Sequence, residues 1–405
     1  MKIGIVGLGY VGLVTASVLA DRGHYIVGVD IDEMKINELN SGRIPFYEPG
    51  LQELVDKNKD KLIFTKDYGE LLDSQFVFIT VSTPTVNGKI YLDNVFSAAT
   101  SLSKINKDSV IVIKSTVIPG TSRKIKKMLN REVLVNPEFL KEGSAIMDTI
   151  KPDRIIIGGD SEETIKFLED LWSFTNSPII RTSMEEAEMI KYAANSFLAV
   201  KISFINEIAN LCEKIPNCDV NVIAKAIGMD KRISPYFLNA GLGFGGSCFP
   251  KDTAAITSFA RDLGERLKIV EAAIEVNNER PFRAVKMMEE LIGELKGKTI
   301  CVLGLAFKPN TDDTRESVGL KIIRLLQEKG ANILAYDPKA KVKDIKISSL
   351  DECIQYSQGI IISTEWDEFR GIEEKLRDKY VVDGRRVLNY KLLDRNKFRA
   401  IGLGE

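Results

Sequence analysis

Over roughly the first 175 residues, short apolar runs alternate with stretches of helical periodicity, and each run ends in glycine or a polar turn. Lys2–Val6 is a short β-type apolar run that breaks into Gly7-Leu8-Gly9-Tyr10-Val11-Gly12. A helical pattern continues through Leu19, and Gly23 punctuates its end. Tyr25–Val29 predicts a second buried strand, closing on Asp30. Further strands are predicted at Phe76–Val81, Val110–Lys114, Glu132–Asn136 and Arg154–Gly158. Such alternation implies a doubly wound α/β fold with a mostly parallel sheet.

The character changes near Met184. Glu185–Glu213 contains no Gly or Pro and carries Ile190, Phe197, Val200, Phe204, Ile205 and Ala209 at helical spacing. A helix of ~29 residues would span ~43 Å, a rod suited to connecting domains and to a dimer seam. Helical patterns continue at Val220–Ile227 and from Thr253 to Leu291. A third section then repeats the opening order: strand Thr299–Leu303, Gly304, helix Val318–Lys329, Gly330, strand Ala331–Tyr336 and Asp337. It lacks the GxGxxG spacing, so another nucleotide or phosphate is expected there instead of a second dinucleotide. The expected domains are 1–183, a Rossmann domain; 184–296, a central helical region; and 297–405, a Rossmann-like α/β domain.

Composition narrows the function. The 405 residues exceed one ordinary core, and 44% of them are apolar. Lys and Arg number 56 against 57 Asp and Glu, so no charge excess points to nucleic acid. Ile3–Ala20 is uncharged, but its glycines belong to the turn pattern and Asp21-Arg22-Gly23 closes it, so neither a signal sequence nor a membrane span is expected. Five scattered cysteines without CxxC spacing argue against a disulfide framework and a zinc site, and fit a reducing cytoplasm. A lone histidine, His24, leaves little for a His-based metal centre or triad.

Two segments carry chemistry. In the first turn Gly7 permits a tight bend, Gly9 admits a pyrophosphate and Gly12 lets helix and strand pack closely. Asp30, 18 positions after Gly12, can accept from ribose hydroxyls and would repel a 2′-phosphate, favouring NAD over NADP. The second segment is Gly241-Leu242-Gly243-Phe244-Gly245-Gly246-Ser247-Cys248-Phe249-Pro250-Lys251-Asp252. Its glycines let backbone close on a ligand around one thiol, with a cation and an acid/base group adjacent. An inert packed cysteine needs no such setting.

With these segments the chain resembles the UDP-glucose/GDP-mannose dehydrogenases, a family of nucleotide-sugar dehydrogenases, over essentially its whole length. Further markers are Ser115-Thr116, Asn136-Pro137-Glu138-Phe139-Leu140-Lys141-Glu142-Gly143, Lys191-Tyr192-Ala193-Ala194-Asn195, Phe307-Lys308 and Asp313-Thr314-Arg315-Glu316-Ser317. The forms around Glu138 and Cys248 are similar to the UDP-glucose branch; UDP-N-acetylhexosamine and GDP-mannose are the alternative substrates. The resemblance implies a two-fold oxidation of a primary alcohol to a carboxylate with two NAD+. Cys248 would be the nucleophile, Asp252 the proton acceptor in concert with Lys191, and Glu138 the activator of the hydrolytic water. Asn195 and Thr116 would assist. Cofactor contacts would come from Tyr10, Val11, Lys35, Thr83, Thr116, Glu142, Lys251 and Arg315 beside the glycine turn and Asp30. Substrate would be held by Phe139, Leu140, Lys141, Lys191, Asn195, Tyr236, Leu238, Asn239, Gly245 and Lys308, with Arg232 reaching across a dimer seam.

Overall fold

The computed structural model describes residues 1–86, 88–104 and 108–404. The chain divides into two compact units, Met1–Ala194 with Ala254–Phe259, and Asn195–Thr253 with Ala260–Glu405.

The first unit is built on strands β1 (Lys2–Val6), β2 (Tyr25–Val29), β3 (Leu62–Thr65), β4 (Phe76–Ile79), a small β5 (Thr85–Val86)–β6 (Lys89–Ile90) hairpin, β7 (Val110–Ile113), β8 (Val133–Val135), β9 (Ile155–Gly158) and β10 (Ile179–Thr182). Eight of these form one sheet in the order β10-β9-β8-β7-β4-β1-β2-β3, parallel throughout except where β9 runs against β8. Side chains alternate between its faces. Ile3, Ile5, Phe76, Phe78, Val110 and Val112 pack into one core, whereas Val6, Val77, Ile79, Ile111 and Ile113 pack into another. Both faces are covered by helices, which is why these strands read as continuous apolar runs and not as alternating ones. The two edge strands escaped the sequence pattern: β3 and β10 are four residues each and partly solvent-facing.

The second unit carries β11 (Thr299–Leu303), β12 (Asn332–Tyr336), β13 (Gly359–Ile362), β14 (Tyr380–Asp383) and β15 (Phe398–Ala400), all parallel in the order β12-β11-β13-β14-β15. The long helix runs Met184–Cys212, one residue ahead of its predicted bounds at each end. The expected helical stretch Thr253–Leu291 divides into Phe249–Asp262 and Lys268–Ile292. Gly264, at φ +82°, lies between them where an L side chain would be strained.

The cysteine expectation is overturned. Cys212 bonds Cys218 and Cys301 bonds Cys353, with Cα–Cα separations of 5.0 and 5.5 Å. Sequence spacing hid both pairs, because the second joins β11 to the Leu350–Gln355 helix through the tertiary fold. Cys248 stands outside both disulfides.

Candidate active site

Parallel register brings the functional turns of the first unit onto one sheet edge. Val6 pairs with Val29 and Ile79, Ile79 with Ile113, and Ile113 with Val135. Gly7, Asp30, Thr80, Lys114 and Asn136 therefore follow the carboxyl ends of adjacent strands, where doubly wound sheets bind ligands.

The glycine turn fits a dinucleotide. A Cβ on Gly12 would collide with the Gly7 carbonyl oxygen, so close packing of helix on strand requires this glycine. A Cβ on Gly9 would meet nothing within 4 Å. The protein's own packing does not need glycine there; an approaching phosphate does. The Tyr10–Asp21 helix has no side-chain N-cap and no acidic residue in its first turn, leaving its amino-terminal N–H groups for an anion. Asp30 is buried and accepts from the Leu8 N–H at 2.7 Å and from Lys35 Nζ at 2.7 Å, so carboxylate and cation stand together at the end of β2. Tyr10 donates its hydroxyl to Glu48, a buried carboxylate that also accepts from the Gly143 and Ala145 N–H groups at 2.6 and 2.7 Å. Glu48 thus ties the loop bearing Glu142 to the helix that starts at Tyr10. Thr83 is buried, while Thr116 is half-buried just beyond β7.

Lys191 and Glu138 come together. The Lys191 ammonium is buried on the long helix and donates to Glu138 Oε1 at 2.9 Å and to the Glu138 carbonyl at 2.6 Å. It lies 5.3 Å from the Phe139 ring centre, and the Arg154 guanidinium lies 3.8 Å from the same ring. Leu140 packs against the core and Lys141 is exposed, pairing with Asp148 at 3.5 Å. One turn below Lys191, Glu188 accepts from the Gly120 and Ser122 N–H groups at 2.6 and 2.8 Å, anchoring the loop after Thr116. Burial pushes that carboxyl above its ordinary range.

In the second unit Cys248 immediately precedes the Phe249–Asp262 helix, and its carbonyl accepts the Asp252 N–H at 2.8 Å. A sulfur at a helix amino terminus gains thiolate character from the helix dipole. Lys251 and Asp252 occupy the first turn. Asp252 is fully buried, its two oxygens meeting Lys251 Nζ and Asn195 Nδ2, both at 2.7 Å. The structure thus places acid, amide and ammonium in one cluster.

The glycine loop ahead of Cys248 is held by polar side chains. The Asn277 amide pairs with both backbone groups of Phe244, accepting at 2.7 Å and donating at 3.0 Å. Asn206 accepts from the Gly241 N–H at 2.8 Å, and the wholly buried Arg280 donates to the Gly241 carbonyl at 2.9 Å. Desolvation lowers the Arg280 guanidinium to about 10. A Cβ at Gly245 would collide with the Glu316 carbonyl, and the Gly246 N–H donates to the Arg315 carbonyl at 2.9 Å. Gly245, Arg315 and the Phe307–Lys308 pair are therefore neighbours. Leu238 is buried in the core of the unit, while Tyr236 and Asn239 are exposed. Arg232 pairs with Asp230 and keeps 88% of its side chain exposed.

Sequence reasoning missed Glu48, Lys114, Glu188, Asn206, Asn277 and Arg280. Only Lys114 had a local signal, a cation ending the apolar run Val110–Ile113.

Residues 1–176 match the NAD binding domain of the UDP-glucose/GDP-mannose dehydrogenase family, 185–279 its central domain and 301–390 its UDP binding domain. The chain belongs to that family. UDP-glucose 6-dehydrogenase TuaD of Bacillus subtilis is 42% identical, the alignment covering 96% of this chain and 90% of that protein. Among solved structures, a UDP-glucose dehydrogenase from the hyperthermophilic archaeon Pyrobaculum islandicum superposes with a TM-score of 0.94 at 38% identity, covering 99% and 98% of the two chains. A UDP-D-ManNAc dehydrogenase from Pyrococcus horikoshii superposes at 0.91 with 28% identity, covering 99% of each. The family assignment makes the chain an NAD-dependent oxidoreductase with a nucleotide-sugar substrate.

Proposed function

We propose that the protein oxidises UDP-glucose to UDP-glucuronate by the four-electron route, consuming two NAD+ per sugar. The observation that carries this reading is the first turn of the helix after Cys248, where Lys251 and Asn195 both engage the buried Asp252. An enzyme stopping at an aldehyde needs a proton acceptor but no nucleophilic thiol beside it.

NAD+ supplies the two-electron acceptor for both oxidations. Asp252 takes the C6 hydroxyl proton through a water as hydride leaves, and Lys191 and Asn195 donate to the developing oxyanion. The Cys248 thiolate then forms a C–S bond with the aldehyde carbon. Loss of the remaining C6 hydride converts that thiohemiacetal to a thioester. Glu138 accepts a proton from the water that attacks the acyl carbon, with Thr116 assisting; the C–S bond breaks and Cys248 leaves as thiolate. One alcohol, one water and two NAD+ give one carboxylate, two NADH and three protons.

Tyr10, Val11, Asp30, Lys35, Thr83, Thr116, Glu142, Lys251 and Arg315 are assigned to the cofactor. The backbone of Phe139–Lys141, with Tyr236, Leu238, Asn239, Gly245 and Lys308, is assigned to the nucleotide sugar. A homodimer is part of the proposal: Phe197, Phe204 and Leu211 recur every seven residues along the long helix and are 65%, 49% and 61% exposed. Arg232 would serve the neighbouring copy. We place the reaction in the cytoplasm, and among the described residues no helix is long and apolar enough to cross a membrane. Disulfides suit that compartment in heat-adapted organisms, whose intracellular proteins are rich in them.

The test is NADH formed per sugar at limiting UDP-glucose and excess NAD+, with the product weighed by mass spectrometry. Two NADH and UDP-glucuronate are expected. One NADH would overturn the thioester route, and turnover with only UDP-N-acetylmannosamine would overturn the substrate.

A further inference from the structure

We propose that Lys114 is a positioning residue for the hydrolytic step, holding the Asn136–Pro137–Glu138 turn so that the Glu138 carboxyl group meets the attacking water. This rests on the reading of Glu138 as activator of the hydrolytic water.

Lys114 extends β7 by one residue and is buried. Its ammonium donates to Asn136 Oδ1 at 3.1 Å, reaches the Asn136 carbonyl at 3.5 Å and lies 5.2 Å from the Trp172 ring centre. Asn136 in turn donates to the Ile156 carbonyl at 3.0 Å. Lys114 therefore grips the residue two before Glu138 by side chain and backbone together, and β9 braces the grip. Lys114 and Glu138 also line one cavity of about 120 Å³. Glu138 gives Oε1 to Lys191, while Oε2 is buried without a hydrogen-bond partner among the described residues, the oxygen suited to accept a proton. Leucine at position 114 would continue the apolar run without the cost of burying a cation, which runs to several kcal/mol. Lys114 keeps that cost: desolvation pulls its ammonium down to about 8, with Glu138 raising it and Lys191 lowering it, so the three charges sense one another. The remaining charged groups on the cavity wall are Lys141, Asp148, Lys151, Asp153 and Arg154.

The experiment compares Lys114→Met, Lys114→Arg and Glu138→Gln in full-length enzyme, following the first NADH, the second NADH and the Cys248 acyl adduct by quenched mass spectrometry. Lys114→Met should accumulate acyl-enzyme while leaving the first NADH step near wild type. Lys114→Arg, which keeps a donor to Asn136, should bring hydrolysis back toward the wild-type rate. No acyl-enzyme accumulation, or equal slowing of every step, would overturn the proposal, since a purely structural role slows every step alike. Glu138→Gln without acyl accumulation would instead remove the reading of Glu138 on which the proposal rests.

Discussion

The Cys301–Cys353 disulfide sets the largest single covalent constraint on the carboxy-terminal unit. It joins the interior strand β11 to a helix 52 positions on, and both cysteines are fully buried. A cross-link closing a loop of that length removes unfolded-chain entropy worth about 4 kcal/mol, whereas the six-residue loop of Cys212–Cys218 is worth about 2 kcal/mol on the same relation. The perturbation is reduction, applied during urea unfolding with and without a phosphine reductant, so that no side chain changes. Because both longer-range sulfurs are buried, reduction should occur only from the unfolded state. The reduced protein should then unfold at lower urea, its carboxy-terminal transition losing about 4 kcal/mol from the longer bridge, or up to about 6 if the contributions add. In a thermal scan, about 4 kcal/mol corresponds to roughly 8–16 °C for a unit of this size. Thiol titration in denaturant should count one reactive sulfur before reduction and five after. Five thiols without reductant, or a transition indifferent to it, would refute the reasoning.

Two further outcomes are expected. Cys248→Ala should abolish carboxylate production while leaving some aldehyde formation, cutting NADH to no more than one per sugar; normal acid output by mass spectrometry would sink the thioester route. Asn277→Ala strands the N–H and C=O of Phe244 in the interior, at about 1–3 kcal/mol for each buried group left unsatisfied. It should lower stability by about 2–6 kcal/mol in urea titration and change the iodoacetamide reactivity of Cys248, and an unaltered midpoint would contradict the clamp.

What was legible in the sequence was local. The β1–glycine–helix–β2 order, the Asp30 position and the long helix depend on periodicity and on residues within about 25 positions of one another, and each stands where the pattern put it. Cys248, Lys251 and Asp252 were visible for the same reason. Contacts between distant segments were not. Asn277 reaches Phe244 across 33 positions and Arg280 reaches Gly241 across 39. Nothing in the helix bearing them distinguishes such polar residues from solvated ones. The disulfide expectation failed on the same ground: counting cysteines says little when parallel strands and their helices decide which sulfurs meet. The edge strands β3 and β10 were lost because half-solvated four-residue runs lack a contiguous apolar signature.

The two sheets share a device at the carboxyl end of their first strand. Thr80 donates its hydroxyl to the Val6 and Gly7 carbonyls, and Ser363 does the same to Leu303 and Gly304. Gly12 and Gly319 each admit a carbonyl that a Cβ would strike. Yet the helix after Gly304 begins at a Ser317 whose hydroxyl accepts from the Leu320 N–H, whereas the helix after Gly9 has no side-chain cap. At one helix start the chain supplies its own acceptor, and at the other it leaves the N–H groups to an anion from outside. Two turns of like geometry are thus fitted to different tasks by what stands at the helix start.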